Sequence, residues 1–96
     1  MKIHALKTWP EYFEAVAGGE KTFEIRKDDR GFKVGDVLEL REYRITEDRY
    51  TGRSLWRRVT YITAFDQKPG VVVMAIERTN SGQAAPTLPA DKVAAD

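Results

Sequence analysis

Apolar and polar residues alternate along most of the first 78 positions and predict one short helix among several strands. Ile3–Leu6 alternates with a period of two and predicts a first strand. Further strands are predicted, in chain order, at Thr22–Arg26, Val37–Tyr43, Leu55–Phe65 and Val71–Glu77. The last of these segments is almost continuously apolar, so we expect it to be the most buried strand.

The helix is predicted directly after the first strand. Thr8 followed three residues later by Glu11 has the spacing of a capping box, and Pro10 suits the first turn, where its missing N–H costs nothing. The pair Gly18-Gly19 is expected to end the helix, because glycine adopts the left-handed cap conformation cheaply. Four residues at helical spacing predict its buried face: Trp9, Phe13, Val16 and Ala17.

A single helix among about five strands is too few for a fold of alternating βαβ units. We therefore expect the α+β, mostly β class, as a small and mostly antiparallel β-barrel of about five strands, with the helix at one end or side. The connections are predicted at 27–32, 33–36, 44–54 and 66–70. From Thr79 the sequence has no aromatic residue and many alanines, which predicts a flexible tail over 79–96 after a single domain over 1–78.

Charge and composition restrict the classes of function. Sixteen Lys and Arg against fifteen Asp and Glu give a net charge of +1, so binding to long nucleic acid would need a local basic patch, and a small ligand competes with it. The absence of cysteine and the single histidine exclude thiolate and multi-histidine zinc sites, and we expect no metal and no cofactor. The N-terminal segment has no apolar signal region and no stretch is long enough to span a membrane, so a soluble, cytoplasmic protein is expected.

The segment from Gly18 to Arg26 is the richest in candidate chemistry. Lys21 follows the predicted helix end, and Glu24 and Arg26 lie two residues apart on one strand face, roughly 6.5–7 Å between Cα atoms. Phe23 and Ile25 are expected to anchor the opposite face in the core. Arg26 suits a phosphate, a carboxylate or a base edge, Lys21 can act as a point charge or nucleophile, and Glu24 can hold either cation or move a proton. The alternative is the ordinary charged outer face of a strand.

Two motifs in this order carry a family resemblance. Gly19-x-Lys21-x-x-Glu24-x-Arg26 after a short helix resembles the signature of the ASCH domain, a branch of the PUA-like superfamily. The later segment Phe32–Leu38, with Gly35 and Asp36, resembles that family's second segment, and Leu6–Phe13 resembles a small subgroup of unknown function found in phages and bacteria. Over residues 1–78 the resemblance implies a β-barrel with a cleft beside the helix and a role in binding RNA or a nucleotide-like ligand.

Two other functions stay open. Some ASCH proteins resemble this chain and hydrolyse the amide of N4-acetylcytidine with a lysine, a threonine and a glutamate. Lys21 matches that lysine, but Glu24 occupies the threonine's position, and Glu77 is the only late acid in a predicted strand. If the chain is an enzyme, the resemblance makes Lys21 and Glu24 the catalytic pair. The third function is a phage-encoded domain that binds a protein partner.

Several further residues are candidates for ligand contact. Lys7 flanks the helix start, Trp9 either stacks on a base or belongs to the core, and Tyr12 lies one step off the buried helical face. His4 either faces the same cleft or is structural. Asp36 is expected to bond its own backbone in the turn after Gly35.

The basic residues of the fourth strand form a separate candidate. Arg53, Arg57 and Arg58 surround Trp56, a pattern typical of a platform for single-stranded nucleic acid. The same charges would also protect a hairpin edge from pairing with another chain.

Overall fold

The protein is a five-stranded half-barrel with one short helix, as described by a computed structural model over residues 1–79. The predicted tail, 79–96, lies outside the described residues except for Thr79. Within the described part, no helix has the length and apolar character required to cross a bilayer. The expected α+β, mostly β class is confirmed. The elements are β1 (Ile3–Thr8), α1 (Pro10–Ala17), β2 (Phe23–Lys27), β3 (Val37–Arg44), β4 (Arg49–Thr63) and β5 (Val71–Arg78).

The strands form a single sheet in the order β1-β3-β4-β5-β2. β1 pairs with β3 in parallel, with Ile3 opposite Val37, and all other pairs of this sheet are antiparallel. The sheet therefore has two edges, β1 and β2, although these strands are neighbours at the start of the chain. The expectation of a mostly antiparallel sheet is confirmed.

Arginine side chains bridge the seam between the two edge strands. Arg26 Nη2 donates to the carbonyl oxygen of Lys7 at 3.0 Å, and Arg30 Nη1 donates to that of Ala5 at 2.8 Å. Both carbonyls belong to β1, which is an edge of the sheet formed by residues 3–78. The side chains thereby satisfy polar backbone groups that an open edge leaves free.

The core fills the concave side of the sheet beneath α1. In β5 only alternate residues are buried, because its other face remains half-exposed, so the expectation that β5 is the most buried strand is wrong; β3 has more buried positions. The largest fully buried side chains are Phe13, Leu38, Leu40, Leu55, Met74, Val37 and Val59.

The start of the helix differs from the prediction. Thr8 is the last residue of β1 and is buried, because it alternates with His4 and Leu6 on the inner face, and the N-cap is Trp9 with no side-chain capping bond. Trp9 is exposed and does not join the core, whereas the other three residues of the predicted buried face do. The end of the helix is as predicted, with Gly19 in the left-handed region at φ +88°.

The connection between β3 and β4 is much shorter than predicted. The sequence predicted a polar connection over 44–54, but β3 continues to Arg44 and β4 begins at Arg49. Gly52 lies inside the strand at φ +97°, near the point where the β3–β4 register shifts. The residues at the hairpin end of both strands are mostly polar, so the sequence there lacks the apolar alternation that predicts a strand.

A buried histidine–aspartate pair joins β1 to the turn before β3. His4 Nε2 donates to Asp36 Oδ2 at 2.9 Å, and the backbone N–H groups of Lys2 and Lys33 donate to the same carboxylate, each at 3.0 Å. Burial by itself would raise the pKa of Asp36, but these three hydrogen bonds outweigh it and lower the pKa. The predicted backbone bond of Asp36 is confirmed, and Gly35 has the left-handed φ (+98°) of a turn. His4 has a structural partner here and does not line the cleft described below.

Candidate functional site

A cleft of about 880 Å³ opens between the start of α1, the end of β1 and the edge strand β2. This volume is in the range of pockets that hold small organic ligands. Its lining residues are Lys7, Thr8, Trp9, Tyr12, Ala15, Glu20, Lys21, Phe23, Glu24, Ile25 and Arg26. The structure thus brings together six sequence-predicted ligand-binding residues, namely Lys7, Trp9, Tyr12, Lys21, Glu24 and Arg26.

The charged face of β2 points inward, opposite to the prediction. Glu24 is only 3% exposed and lies across from Met74 of β5, whereas Phe23 and Ile25 are exposed. The period of two was correct, but the assignment of the faces was wrong. Burial of Glu24 is tolerated because Lys21 and Arg26 accompany it.

The floor of the cleft is an ion triad centred on Glu24. Lys21 Nζ donates to Glu24 Oε2 and Arg26 Nε donates to Glu24 Oε1, both at 2.9 Å. The triad carries one net positive charge, and each carboxylate oxygen accepts from a different cation. Charged groups this well desolvated depend strongly on one another, since removal of one partner leaves an uncompensated buried charge.

Lys21 is fixed by the end of the helix. Its backbone N–H donates to the carbonyl oxygen of Ala15 at 3.0 Å, and its Nζ also donates to the carbonyl oxygen of Phe23 at 2.7 Å. The ammonium group lies 4.9 Å from the Phe23 ring centroid and 5.7 Å from that of Tyr12. These rings add cation–π attraction and hold the cation in place.

Arg26 joins the triad to β1. Besides Glu24 and the Lys7 carbonyl, its guanidinium contacts the hydroxyl of Thr8, with 3.3 Å between Nη2 and Oγ1. Thr8 is a cleft residue that the sequence analysis missed, because its spacing to Glu11 predicted a cap. The alternation of His4, Leu6 and Thr8 was the signal that placed it on the inner face.

Two aromatic rings form the wall of the cleft on the helix side. Trp9 and Tyr12 stack with ring centroids 6.1 Å apart and planes inclined by 18°, and they are 46% and 45% exposed. Exposed aromatic rings of this size provide a surface on which a planar ligand can stack. Since Trp9 is exposed, its interpretation as a core residue is wrong, and stacking on a base stays a prediction.

The predicted basic platform on β4 does not form. Arg57 is 4% exposed, because the odd-numbered residues of this part of β4 face the core, and its guanidinium donates to the carbonyl oxygens of Trp56 and Val16 at 2.8 and 3.4 Å. Arg58 is on the surface, paired with Glu77. Neither arginine lines the cleft.

Arg53 has a structural role in a second ion cluster. Its Nε and Nη2 donate to the two oxygens of the buried Glu42 at 3.0 and 3.2 Å, and Nη2 also pairs with Glu14 of α1. The hydrogen bonds from Arg53, opposed by burial and supported by a 2.7 Å bond from Thr51, lower the pKa of Glu42. This cluster attaches the helix to the β3–β4 hairpin.

The buried carboxylates have partners other than a metal ion. Glu24, Asp36 and Glu42 each accept hydrogen bonds from cationic or N–H donors. Between positions 1 and 79, no three acidic or histidine side chains are grouped in a way that could hold a metal ion.

Comparison with known proteins gives a family and one phage relative. A family model described as "Domain of unknown function (DUF3850)" matches residues 3–76. The chain is also 40% identical over 62 residues to an "Uncharacterized 12.9 kDa protein in GpA 3'region" from Escherichia phage P2. That match covers 65% of the chain and 55% of the phage protein, so the chain spans little more than half the length of this relative. The predicted similarity to a phage-borne group of unknown function is confirmed at this level.

Proposed function

This chain belongs to the DUF3850 family, whose description assigns no activity, and we propose from the cleft itself that the protein is a nucleotide- or RNA-binding module. The observation that carries the proposal is the position of the stacked pair Trp9 and Tyr12 beside the cations Lys21 and Arg26 in one cleft. A nucleotide has a planar base and an anionic phosphate. The cleft offers a complementary surface to each.

The aromatic pair is the proposed contact for the base. Every nucleobase has a π-face, and stacking of a base on an aromatic side chain is worth about 1–3 kcal/mol. Because the two rings are already nearly parallel and partly exposed, they require little rearrangement to accept a base.

The cations of the triad are the proposed contact for phosphate or for acceptor atoms of the base. Both carboxylate oxygens of Glu24 already accept from Lys21 and Arg26, and further N–H donors remain on the two cations, although Glu20 also lines the cleft. Arginine in particular binds phosphate through a planar fork. Lys7 also lines the cleft, with its ammonium group over the Tyr43 ring.

We also propose that the domain is of the ASCH type within the PUA-like superfamily. Three residues of the first motif, Lys21, Glu24 and Arg26, line one cleft beside the helix, which is where the resemblance expects a ligand. The two motif glycines, Gly19 and Gly35, have left-handed backbone conformations that other residues rarely adopt. A common structural role for the motif positions supports the assignment.

An amide-resolved NMR titration at low salt tests the proposal. The ligands are a short single-stranded RNA, its DNA counterpart and a set of nucleosides and nucleotides that includes N4-acetylcytidine. We expect shifts centred on Trp9, Tyr12 and Lys21–Arg26, and weaker binding as salt is raised. Absence of shifts with all of these ligands would exclude the proposal and favour a protein partner.

Matched variants connect the binding to the cleft. Trp9→Ala is expected to weaken binding roughly tenfold or more, in line with the loss of one stacking contact. Phe65→Ala, which removes a more exposed aromatic side chain outside the cleft, should leave affinity unchanged. Lys21→Met should reduce affinity and the salt dependence, while Lys68→Met serves as the control for loss of a lysine charge.

The second candidate function is a small amidohydrolase acting on an acylated nucleoside such as N4-acetylcytidine. The observation that favours it is the 2.9 Å contact between Lys21 and Glu24 within the cleft, together with the Thr8 hydroxyl on the same surface. In this function Lys21 is the essential group and Glu24 transfers the proton. Release of acetate followed by NMR tests it, and a Lys21→Ala variant with undiminished turnover would exclude it.

A further inference from the structure

We propose that a single-stranded nucleic acid held in the cleft continues onto the outer face of the sheet, over a strip formed by Lys7, Arg41, Tyr43 and Tyr50. This inference rests on the proposed function and extends it from a single nucleotide to a polymer. It also assigns a surface that extends beyond the cleft.

Lys7 connects the two surfaces. It lines the cleft, and its Nζ lies 4.4 Å from the ring centroid of Tyr43 on the outer face of β3. In the parallel β1–β3 register Lys7 is opposite Arg41, so the side chains of both residues project from the outer face. A single-stranded nucleic acid that leaves the cleft past Lys7 therefore reaches Tyr43 and Arg41 next.

The two tyrosines supply a fixed aromatic surface. Tyr43 and Tyr50 are cross-strand partners with ring centroids 5.1 Å apart and an interplanar angle of 65°. Tyr43 is largely covered and its hydroxyl donates to Asp48, whereas Tyr50 remains 45% exposed. Tyr43 thus acts as the support, and Tyr50 presents the ring on which a second base can stack.

Three cations lie on or beside the strip, and two of them are paired with acidic side chains. Arg41 is half-exposed and pairs with Glu39 at 2.9 Å, and Arg49 beside Tyr50 pairs with Glu47 at 3.0 Å. The Arg49–Glu47 pair is exposed and worth little, so a phosphate can replace Glu47 as the partner of Arg49, while the exposed part of Arg41 can contact a phosphate in addition to Glu39. Because Lys7 and Arg41 lie beside the tyrosine rings, the strip suits a nucleic acid better than an apolar protein surface.

Fluorescence anisotropy with two ligands separates this inference from the proposed function. One ligand is a labelled mononucleotide, which is too short to span both the cleft and the strip, and the other is a single strand of about 10 nucleotides, within the range of known single-strand sites. We expect Tyr50→Ala to weaken binding of the long strand roughly tenfold and to leave mononucleotide binding unchanged. Trp9→Ala should weaken both. Tyr61→Ala, an exposed tyrosine of β4 outside the strip, is the matched control.

The charged part of the strip is tested by salt dependence. Arg41→Gln should lower the slope of log affinity against log salt by about one for the long strand, whereas Arg58→Gln should not. If Tyr50→Ala and Arg41→Gln bind the long strand as well as the unaltered protein while Trp9→Ala does not, the strip is excluded and the cleft proposal stands. If the unaltered protein binds neither ligand, both proposals fail. Capture of a specific protein that contacts the cleft would then show that the cleft binds a protein instead of a nucleic acid.

Discussion

Arg26 on one edge strand donates to the main chain of Lys7 on the other, with 3.0 Å between Nη2 and the carbonyl oxygen. The same guanidinium donates to Glu24 through Nε and contacts the Thr8 hydroxyl. A single side chain therefore stabilises the seam of the half-barrel and shapes the floor of the candidate cleft. Changes at this position are expected to affect stability and ligand affinity together.

Replacing Arg26 should destabilise the protein according to how many of its hydrogen bonds the new side chain can still make. Arg26→Ala leaves the buried Glu24 with one cation and should lower the free energy of unfolding by about 3–5 kcal/mol. Arg26→Lys keeps the charge but cannot reach Glu24 and Lys7 at once, so we expect a loss of about 1–2 kcal/mol. Urea unfolding measures both. Arg49→Ala, which removes a mostly exposed arginine, should stay within about 0.5 kcal/mol, and an equally small effect of Arg26→Ala would contradict the bridging role.

The two carboxylate partners of Arg53 should differ sharply in importance. Glu42 is buried, whereas the Glu14 side chain is mostly exposed, although both contact the same guanidinium. Arg53→Ala leaves the buried Glu42 charge without its arginine partner and should lower the free energy of unfolding by about 3–5 kcal/mol. Glu14→Ala should lower it by less than about 1 kcal/mol. Thermal or urea unfolding of the two variants provides the comparison. Similarly small losses for both would show that the buried Glu42 does not depend on Arg53.

The lowered pKa of Asp36 predicts acid sensitivity. A carboxyl whose pKa is lower in the folded than in the unfolded state stabilises the fold fully above its ordinary value, 3.8, and this stabilisation is lost as the pH falls through the folded pKa. Glu42, also with a lowered pKa, acts in the same direction. We expect the free energy of unfolding to fall steadily below about pH 4.

Asp36→Asn isolates the contribution of one group. The variant should be less stable at pH 7, because a single amide oxygen replaces the two oxygens that accept from Lys2, His4 and Lys33. It should also lose less stability on acidification, since the titrating group is gone. Urea midpoints between pH 7 and acid measure both effects. Parallel pH curves for the variant and the unaltered protein would show that Asp36 is not responsible.

Gly19 and Gly18 form a matched pair at the end of α1. Gly19 has φ +88°, and a Cβ added there would meet no atom within 4 Å, so Gly19→Ala should cost about 1–2 kcal/mol through backbone strain alone. Gly18 has an ordinary helical φ of −81°, and the atoms nearest to an added Cβ would be the carboxylate end of Glu20, which can move. Gly18→Ala is therefore expected to be neutral within about 0.5 kcal/mol. Unfolding midpoints distinguish the two, and Gly19→Asn should fall between them.

Local patterns predicted the elements, while contacts between distant residues decided the faces. The period of two correctly identified β2. However, an alternation of charged and apolar residues does not by itself show which of the two faces is buried. Glu24 faces inward because Lys21 and Arg26 neutralise it there and because β1 supplies acceptors for Arg26. The contacts of Arg26 with β1 join residues that are 18 or 19 positions apart, so they are not visible in a five-residue pattern.

Sequence reasoning located much of the candidate cleft for a different reason. Lys21, Glu24 and Arg26 came from spacing and from a family resemblance, and Trp9 and Tyr12 from their position on the helix. Thr8 and the burial of Arg57 were missed, because a capping-box spacing and a basic-aromatic run both describe local chemistry and carry no information on which sheet face a residue occupies. The parallel pairing of β1 with β3 likewise depends on chain segments 30 or more residues apart.

The separation of β1 and β2 at opposite edges of the sheet has a consequence for how the cleft can arise. Every residue that lines it lies within the first 26 positions, yet β1 gains its hydrogen-bonded neighbour only from residues 37–42 and β2 only from residues 71–75. A peptide that ends soon after Arg26 would contain every residue that lines the candidate site, but these residues would not be brought together in space. Since long-range pairing is slow to form, the growing chain remains unable to hold a ligand until β5 is available.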